Sequence, residues 1–263
     1  MKRQLILIAL FAALVLRGAE TLRIADATGG DGGAVTALLL KFASERKDLE
    51  ISFRRLDAES ALEKLDAGDF DIVLVNGGDL PEKYRKAAFR YAVKACIAVV
   101  SIKNPLRRVS SKDLRLILDV PKPNWELVGG PVSDIHRCVV AARNGGLVGM
   151  EMLKLEVRAR EMLTLSTMNE AVLLAENDPA ALVWGPFMPE LPITVVALAV
   201  DGVAPTRANI RNGSYPLSVS RCAVSSAAPG GAAKAFLERL RSGEFAALVE
   251  DDGEIPELPE LGK

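Results

Sequence analysis

Short apolar runs typical of β-strands alternate with helical patterns along most of this chain. The first pair is the run Leu22–Ala25 and the stretch Ala34–Arg46, in which Val35, Leu38 and Phe42 recur at the spacing of one helix face. Parallel strands need a crossover connection, which is usually a helix. The alternation therefore predicts an α/β fold with mainly parallel sheets.

The same reasoning extends over the rest of the chain. The further predicted strands are Glu50–Phe53, Asp71–Val75, Ala92–Ile102, Cys138–Ala141, Ala181–Trp184 and Ile193–Val200. The further predicted helices are Glu59–Ala67, Lys112–Leu118, Val148–Met162, Asn169–Glu176, Ala232–Arg241 and Glu244–Glu250. The proline-containing tail Ile255–Lys263 cannot continue a helix, and we expect it to lie across the surface.

The composition is that of a globular protein with little charge imbalance. The 263 residues correspond to about two domains. Hydrophobic residues make up 49% and charged residues 25%, which argues against disorder. The net charge is -1 and aromatic residues make up only 5%, so neither a basic surface nor a base-stacking platform for nucleic acid is expected.

The first nineteen residues have the pattern of a secretory signal peptide. A basic start, Met1-Lys2-Arg3, precedes twelve apolar residues, Leu5–Leu16, and then the small residues Gly18 and Ala19. As a helix the apolar run spans about 18 Å, which is short of a hydrocarbon core of about 30 Å. We expect a periplasmic or otherwise exported protein, without a stable transmembrane segment once the signal peptide 1–19 is cleaved. The alternatives are an uncleaved anchor and a buried helix.

Motifs for catalysis, cofactors and metals are missing from the sequence. It contains no Gly-x-Ser-x-Gly elbow, no Walker A loop and no His-Glu-x-x-His, and the cluster Gly29–Gly33 misses the dinucleotide-binding spacing. His136 is the only histidine. Cys96, Cys138 and Cys222 lie in apolar runs, where buried free thiols are expected. We therefore expect neither an enzyme nor a bound cofactor or metal.

Several segments, in this order, resemble the PstS-like phosphate-binding subunits of bacterial ABC importers, which are type II periplasmic binding proteins. The match covers essentially the whole chain after residue 19. The segments that carry it are Asp71–Val75, Cys96–Pro105, Asp113–Leu118, Asn124–Gly130, Ala197–Thr206 and Asn209–Ser218.

The resemblance implies two Rossmann-like α/β lobes joined by two crossover strands. Lobe one would comprise residues 20–103 plus 217–263 and so hold both chain ends, and lobe two would comprise residues 104–216. A small-molecule ligand, phosphate or another anion, would lie in the cleft, because helix N-termini offer free N–H groups and partial positive charge. An ABC permease would be the partner. Trp125 and Tyr215 match the family outside its anion loops and are expected to serve packing.

The first anion loop of the family departs from its pattern here. Thr28 or Gly30 stands where the family has a threonine hydroxyl, and Asp31 follows at the helix start. An N-cap role for Asp31 would satisfy the N–H groups that an anion otherwise takes. Asn76 stands where the family often has an acid or arginine facing the ligand, and an amide can donate or accept.

The second and third loops have lost hydroxyl groups. Ala58 occupies the place of the family's serine between Asp57 and Glu59, and Ser60 either compensates or simply lies in the first helical turn. The third loop keeps Arg143, which either contacts the anion or forms a surface salt bridge. The candidate ligand-binding residues are Thr28, Gly30, Asp31, Asn76, Arg143, Asn144, Gly145 and Gly146.

These departures set the functional expectation. Each hydrogen bond to a charged group contributes roughly 1.5–3 kcal/mol, whereas micromolar affinity corresponds to only about 8 kcal/mol. We therefore expect an exported solute-binding protein of the PstS-like type with weak or altered phosphate affinity. The alternative is a degenerate binding fold that acts as an extracytoplasmic interaction or scaffold protein without a tight ligand.

Overall fold

The computed structural model describes residues 20–29, 33–141, 149–155, 162–226 and 228–257. The strands are β1 Glu20–Ala27, β2 Leu49–Arg55, β3 Ile72–Asn76, β4 Phe89–Ser101, β5 Arg108–Val109, β6 His136–Val140, β7 Leu163–Leu165, β8 Ala181–Pro186, β9 Val195–Ala197, β10 Ala199–Val200, β11 Ser218–Ser225 and β12 Ile255–Pro256. The α-helices are α1 Gly33–Glu45, α2 Ala58–Asp66, α3 Glu82–Arg85, α4 Ser111–Asp119, α5 Met168–Asn177, α6 Arg207–Arg211, α7 Gly231–Leu240 and α8 Gly243–Asp251. Short 3-10 turns cover Gly77–Asp79, Trp125–Val128 and Met150–Leu153.

The long strand β4 connects two groups of strands. The strand order is β2-β1-β3-β11-β4-β8-β6-β7, with β9 and β12 also paired to β4. The first half of β4 pairs with β11 and β12, and its second half pairs with β8 and β9. One strand that serves two sheets in this way divides the molecule into an amino-terminal lobe (β1–β3, β11 and β12) and a central lobe (β6–β9).

The expected α/β architecture is confirmed, but the sheet is mixed rather than mainly parallel. Strands β1, β2 and β3 run parallel, as do β6, β7 and β8. Around β4 and β11 all pairings are antiparallel. The chain returns along β11 into the amino-terminal lobe, where α7 and α8 pack near α1, so both described chain ends lie in this lobe.

Each lobe has its own apolar core. In the amino-terminal lobe, α1, α7 and α8 pack on one face of the sheet and α2 on the other. In the central lobe, Trp125 and Tyr215 are almost fully buried, and each donates its polar hydrogen to a carbonyl oxygen, that of Ala180 at 3.1 Å and that of Cys96 at 3.0 Å. Both aromatic side chains therefore serve packing in the way the sequence indicated.

The buried thiols agree with expectation. Cys96, Cys138 and Cys222 are buried, and no disulfide joins any two of them. Burial raises the pKa of the Cys138 thiol to about 11, so this side chain behaves as an apolar core residue at neutral pH. Among the described residues, no helix is both long and apolar enough to cross a bilayer.

Three local predictions were wrong. A helix is predicted over Val148–Met162, of which 149–155 and 162 are described. There Met150–Leu153 form a 3-10 turn, and Lys154 directly after it has a φ of 52°, a left-handed conformation that α-helices do not continue through. The predicted strand Ile193–Val200 is split, because β9 pairs with β4 whereas β10 pairs with β5. At the start of the tail, Ile255 and Pro256 form β12 and are buried rather than lying on the surface, whereas 258–263 lie outside the described residues.

Candidate functional site

Two of the predicted site residues, Thr28 and Asn76, lie together at the carboxyl ends of β1 and β3. Strand ends of this kind are where open α/β sheets bind ligands. The Asn76 Nδ2 atom donates to the Thr28 carbonyl oxygen at 3.2 Å. Arg221 Nη1 donates to the same carbonyl oxygen at 2.8 Å and to Asn76 Oδ1 at 2.6 Å. The three residues form one hydrogen-bonded unit.

Arg221 lies on β11 at an irregularity of the strand. The register of β11 against β4 shifts between Arg221 and Cys222, and such bulges turn a side chain away from the regular alternation. The arginine is only 4% exposed, and its Nε lies 3.5 Å from Glu254 Oε1. Sequence reasoning missed Arg221. The one available signal is a charged residue inside the otherwise small and apolar run Ser218–Ser225.

The donors of Thr28 are engaged by a carboxylate on β1, two residues earlier in the chain. Both the main-chain N–H and the Oγ1 hydroxyl of Thr28 donate to Asp26 Oδ1, at 3.0 and 2.7 Å. Asp26 and Thr28 are both buried. An external anion at Thr28 would have to compete with this internal carboxylate for the same hydrogens.

The beginning of α1 meets a second carboxylate. The main-chain N–H of Ala34, the second residue of α1, donates to Asp252 Oδ2. Asp252 lies at the end of α8, where Gly253 has a φ of 75°. This left-handed residue is typical after a helix end and reverses the chain direction. The turn Asp252–Glu254 thus places one carboxylate at α1 and the next at Arg221.

A small cavity lies between these groups. Its volume of about 30 Å³ is enough to hold water. Burial raises the pKa of the Glu254 carboxyl above its ordinary value, against the opposing effect of Arg221. The charged and polar residues that line the cavity are Asp26, Thr28, Tyr91, Arg221, Asp252 and Glu254.

The beginning of α2 meets a third carboxylate. Asp57 is the N-cap of this helix and accepts from the Ser60 main-chain N–H at 2.8 Å. The hydrogen bond from this N–H lowers the pKa of Asp57. Ser60 lies in the first turn of α2, and its N–H is engaged by the helix's own cap. Helices α1 and α2, which follow the first two strands, therefore both begin against carboxylates of the chain itself.

The remaining predicted site residues lie outside the described part of the chain. They are Gly30, Asp31, Arg143, Asn144, Gly145 and Gly146. Within the described residues no cluster of His, Cys, Asp and Glu side chains could hold a metal ion.

Comparisons with known proteins agree with this architecture. No family model matches the chain. Over 230 residues it is 25% identical to the phosphate-binding protein PstS of Bacillus subtilis (strain 168), covering 84% of this chain and 76% of that protein.

Two solved structures cover nearly the whole chain. A possible phosphate binding protein from Planctomyces limnophilus DSM 3776 superposes with a TM-score of 0.77 at 18% identity, covering 92% of this chain and 94% of that one. An ABC-type phosphate transport receptor from Vibrio cholerae superposes with a TM-score of 0.67 at 19% identity, covering 90% of this chain and 99% of that one.

The fold is that of the type II periplasmic binding proteins, two α/β lobes joined by crossover strands. Within this class, the sequence is similar to PstS phosphate-binding proteins, and the resemblance drawn from its motifs is confirmed. At the ends of β1 and β3 in this chain, carboxylates accept from the backbone N–H groups of Thr28 and Ala34.

Proposed function

We propose that this chain is an exported solute-binding protein of the PstS type, which takes a small solute or anion between its lobes and delivers it to an ABC permease. The similarity to a PstS protein over 84% of the chain supports the proposal. The two-lobed fold supports it independently, because that fold offers a cleft and helix N-termini for a ligand. The role is binding rather than catalysis.

We further propose that phosphate itself binds weakly. The observation that carries this is the engagement of backbone donors by internal carboxylates: Asp26 at Thr28, Asp252 at Ala34 and Asp57 at Ser60. Hydrogen bonds to charged groups contribute roughly 1.5–3 kcal/mol each, so losing three removes about 4.5–9 kcal/mol. A micromolar Kd corresponds to a binding free energy of about 8 kcal/mol, so little binding free energy would remain.

A thermal melt at increasing phosphate concentration, with sulfate as an ionic-strength control, tests the proposal. A tight ligand at 100 times its Kd stabilises a fold by about 2.7 kcal/mol. For a chain of this size that is a Tm increase of roughly 5–10 °C, at about 2–4 °C per kcal/mol. We expect phosphate and sulfate to give the same small shift. A phosphate-specific increase of that size, abolished by Arg143→Ala, would contradict weak binding.

The same internal hydrogen bonds favour a second candidate, a binding fold that serves as an extracytoplasmic scaffold without a tight ligand. A helix end whose N–H groups are already satisfied has no need of a solute to be stable. A panel of small anions, amino acids and sugars in the same melt separates the two candidates. A specific Tm increase with any one solute supports the receptor, and no increase with all of them supports the scaffold.

A further inference from the structure

We propose that the turn Asp252–Glu254 is an intramolecular plug, which occupies the amino-terminal lobe's half of the site in place of an anion. The plug keeps phosphate out until the Asp252 carboxylate is removed from the beginning of α1. This inference rests on the proposed function, because it explains how that site comes to bind phosphate weakly. It assigns a regulatory contact to a chain segment remote in sequence from the anion loops.

The contacts of the turn are those that a bound anion would make. Asp252 accepts from the main-chain N–H of Ala34, and Glu254 pairs with the Arg221 guanidinium at 3.5 Å. A guanidinium and a helix N-terminus are the two groups that proteins commonly offer to oxyanions. Both are engaged here by one three-residue segment of the same chain.

The turn is fixed from both sides. Before it, α8 packs against α1 within the amino-terminal core. After it, the Glu254 main-chain N–H donates to the Val249 carbonyl oxygen at 3.0 Å, and Ile255 pairs with Val93 of β4. The carboxylates are therefore held in place by packing and main-chain hydrogen bonds, so their position does not depend on chance side-chain contacts.

The charge of the cavity opposes phosphate while the turn is in place. Asp26, Asp252 and Glu254 line the cavity together with Arg221. Like charges in a partly buried site are screened much less by salt than charges on an open surface. Removing one carboxylate lowers this repulsion and frees the N–H group that the carboxylate engages.

The test is a calorimetric titration of inorganic phosphate into the full chain and its variants at constant ionic strength. In Asp252→Ala the Ala34 N–H loses its internal acceptor and the cavity gains space. We expect a Kd for phosphate that is lower by at least about ten-fold, or 1.4 kcal/mol, than in the unsubstituted protein. The matched control is Asp251→Ala, which removes the same charge from the exposed neighbouring position and should leave the Kd unchanged.

A second variant keeps the test valid if Asp252→Ala folds poorly. Asp252→Asn retains an oxygen that can accept from Ala34 and removes only the charge, so we expect a smaller decrease in Kd in the same direction. An unchanged, weak Kd in every variant that folds overturns the plug and leaves the proposed function standing. Tight phosphate binding by the unsubstituted protein overturns the weak affinity on which the plug depends.

Discussion

Helices α1 and α2 of the amino-terminal lobe begin against carboxylates, whereas the central-lobe helices α4, α5 and α6 begin against hydroxyl groups. Asp252 and Asp57 accept from main-chain N–H groups in the first turns of α1 and α2. The hydroxyls are those of Ser110, Thr167 and Thr206. Either kind of cap accepts hydrogen bonds from the free N–H groups of the first turn. A carboxylate also adds a negative charge where the helix dipole favours an anion.

The buried arginines of the two lobes differ in the groups that they contact. Arg137 of the central lobe donates to the carbonyl oxygens at the end of α4, at 2.7 to 3.3 Å, and so completes a helix terminus. Arg221 of the amino-terminal lobe connects Thr28, Asn76 and Glu254. Arg137 thus helps to hold the fold of its lobe, whereas Arg221 connects groups of the candidate ligand site.

The largest expected effect lies in the central lobe. Trp125→Ala removes a fully buried ring and its hydrogen bond to Ala180, which should cost about 3–5 kcal/mol of unfolding free energy. The Tm should fall by roughly 6–20 °C, at about 2–4 °C per kcal/mol. Differential scanning calorimetry measures this decrease in Tm. If stability were unchanged while solute binding vanished, the packing role of Trp125 would be wrong.

Next in size is the coupling between Arg221 and Glu254. Arg221→Met leaves the half-buried Glu254 carboxylate without its counter-charge and should cost about 1.5–3 kcal/mol. In a background of Glu254→Gln the same substitution should cost less, because the orphaned charge is gone. Urea unfolding of the two single variants and the double variant measures this difference.

Arg137→Met is the matched control for this comparison of single and double variants. It leaves carbonyl oxygens unsatisfied at the end of α4 and should cost about 1–3 kcal/mol. Since Arg137 lies in the other lobe, its effect should add to that of Glu254→Gln within about 0.3–0.5 kcal/mol. Equal coupling of Glu254 to both arginines would remove the distinction between the lobes.

A smaller effect is expected in the pH dependence of stability. The pKa of Glu254 is raised in the folded state, so its contribution to stability is fully present below the unfolded value near 4.5 and is lost as pH rises through the folded value. Glutamine does not titrate, so the Tm of Glu254→Gln relative to the unsubstituted protein should increase with pH across this window. The charged groups that act on Glu254 are Arg221, Lys94 and Asp252.

Thermal melts from acid to neutral pH give both Tm curves. Asp251→Asn, an exposed carboxyl one turn earlier, serves as the control and should follow the unsubstituted protein. A relative Tm of Glu254→Gln that decreases as pH rises would show that Arg221 outweighs burial, so that the carboxyl is stabilised in its charged form.

The fold could be predicted from the sequence because its signals are local and periodic. The helix face of Val35, Leu38 and Phe42 is buried as expected, and the run Asp71–Val75 forms β3 over Ile72–Asn76. Where the sequence misled, tertiary pairing or backbone conformation decided the outcome. The apolar run Ile193–Val200 divides between two sheets, and Lys154 ends a short turn that had been predicted as a long helix.

The candidate site could be predicted only in part. Thr28 and Asn76 are predicted because they stand at positions that match the ligand-facing positions of the PstS-like family. Their actual partners, Arg221 and Glu254, are distant in sequence and come together only through the return of the chain along β11 and the turn after α8. Asp252 could not be found from local pattern, because its contact with Ala34 spans 218 positions.

The most direct test of the central claim is a crystal structure of the unsubstituted protein grown with phosphate in large excess. The claim is that the chain's own carboxylates occupy the donors at the beginnings of α1 and α2. We predict that Asp252 remains on the Ala34 N–H and Asp57 on the Ser60 N–H, with no phosphate at Thr28. A phosphate ion bound to these N–H groups, with the Asp252 carboxylate displaced, would contradict the account.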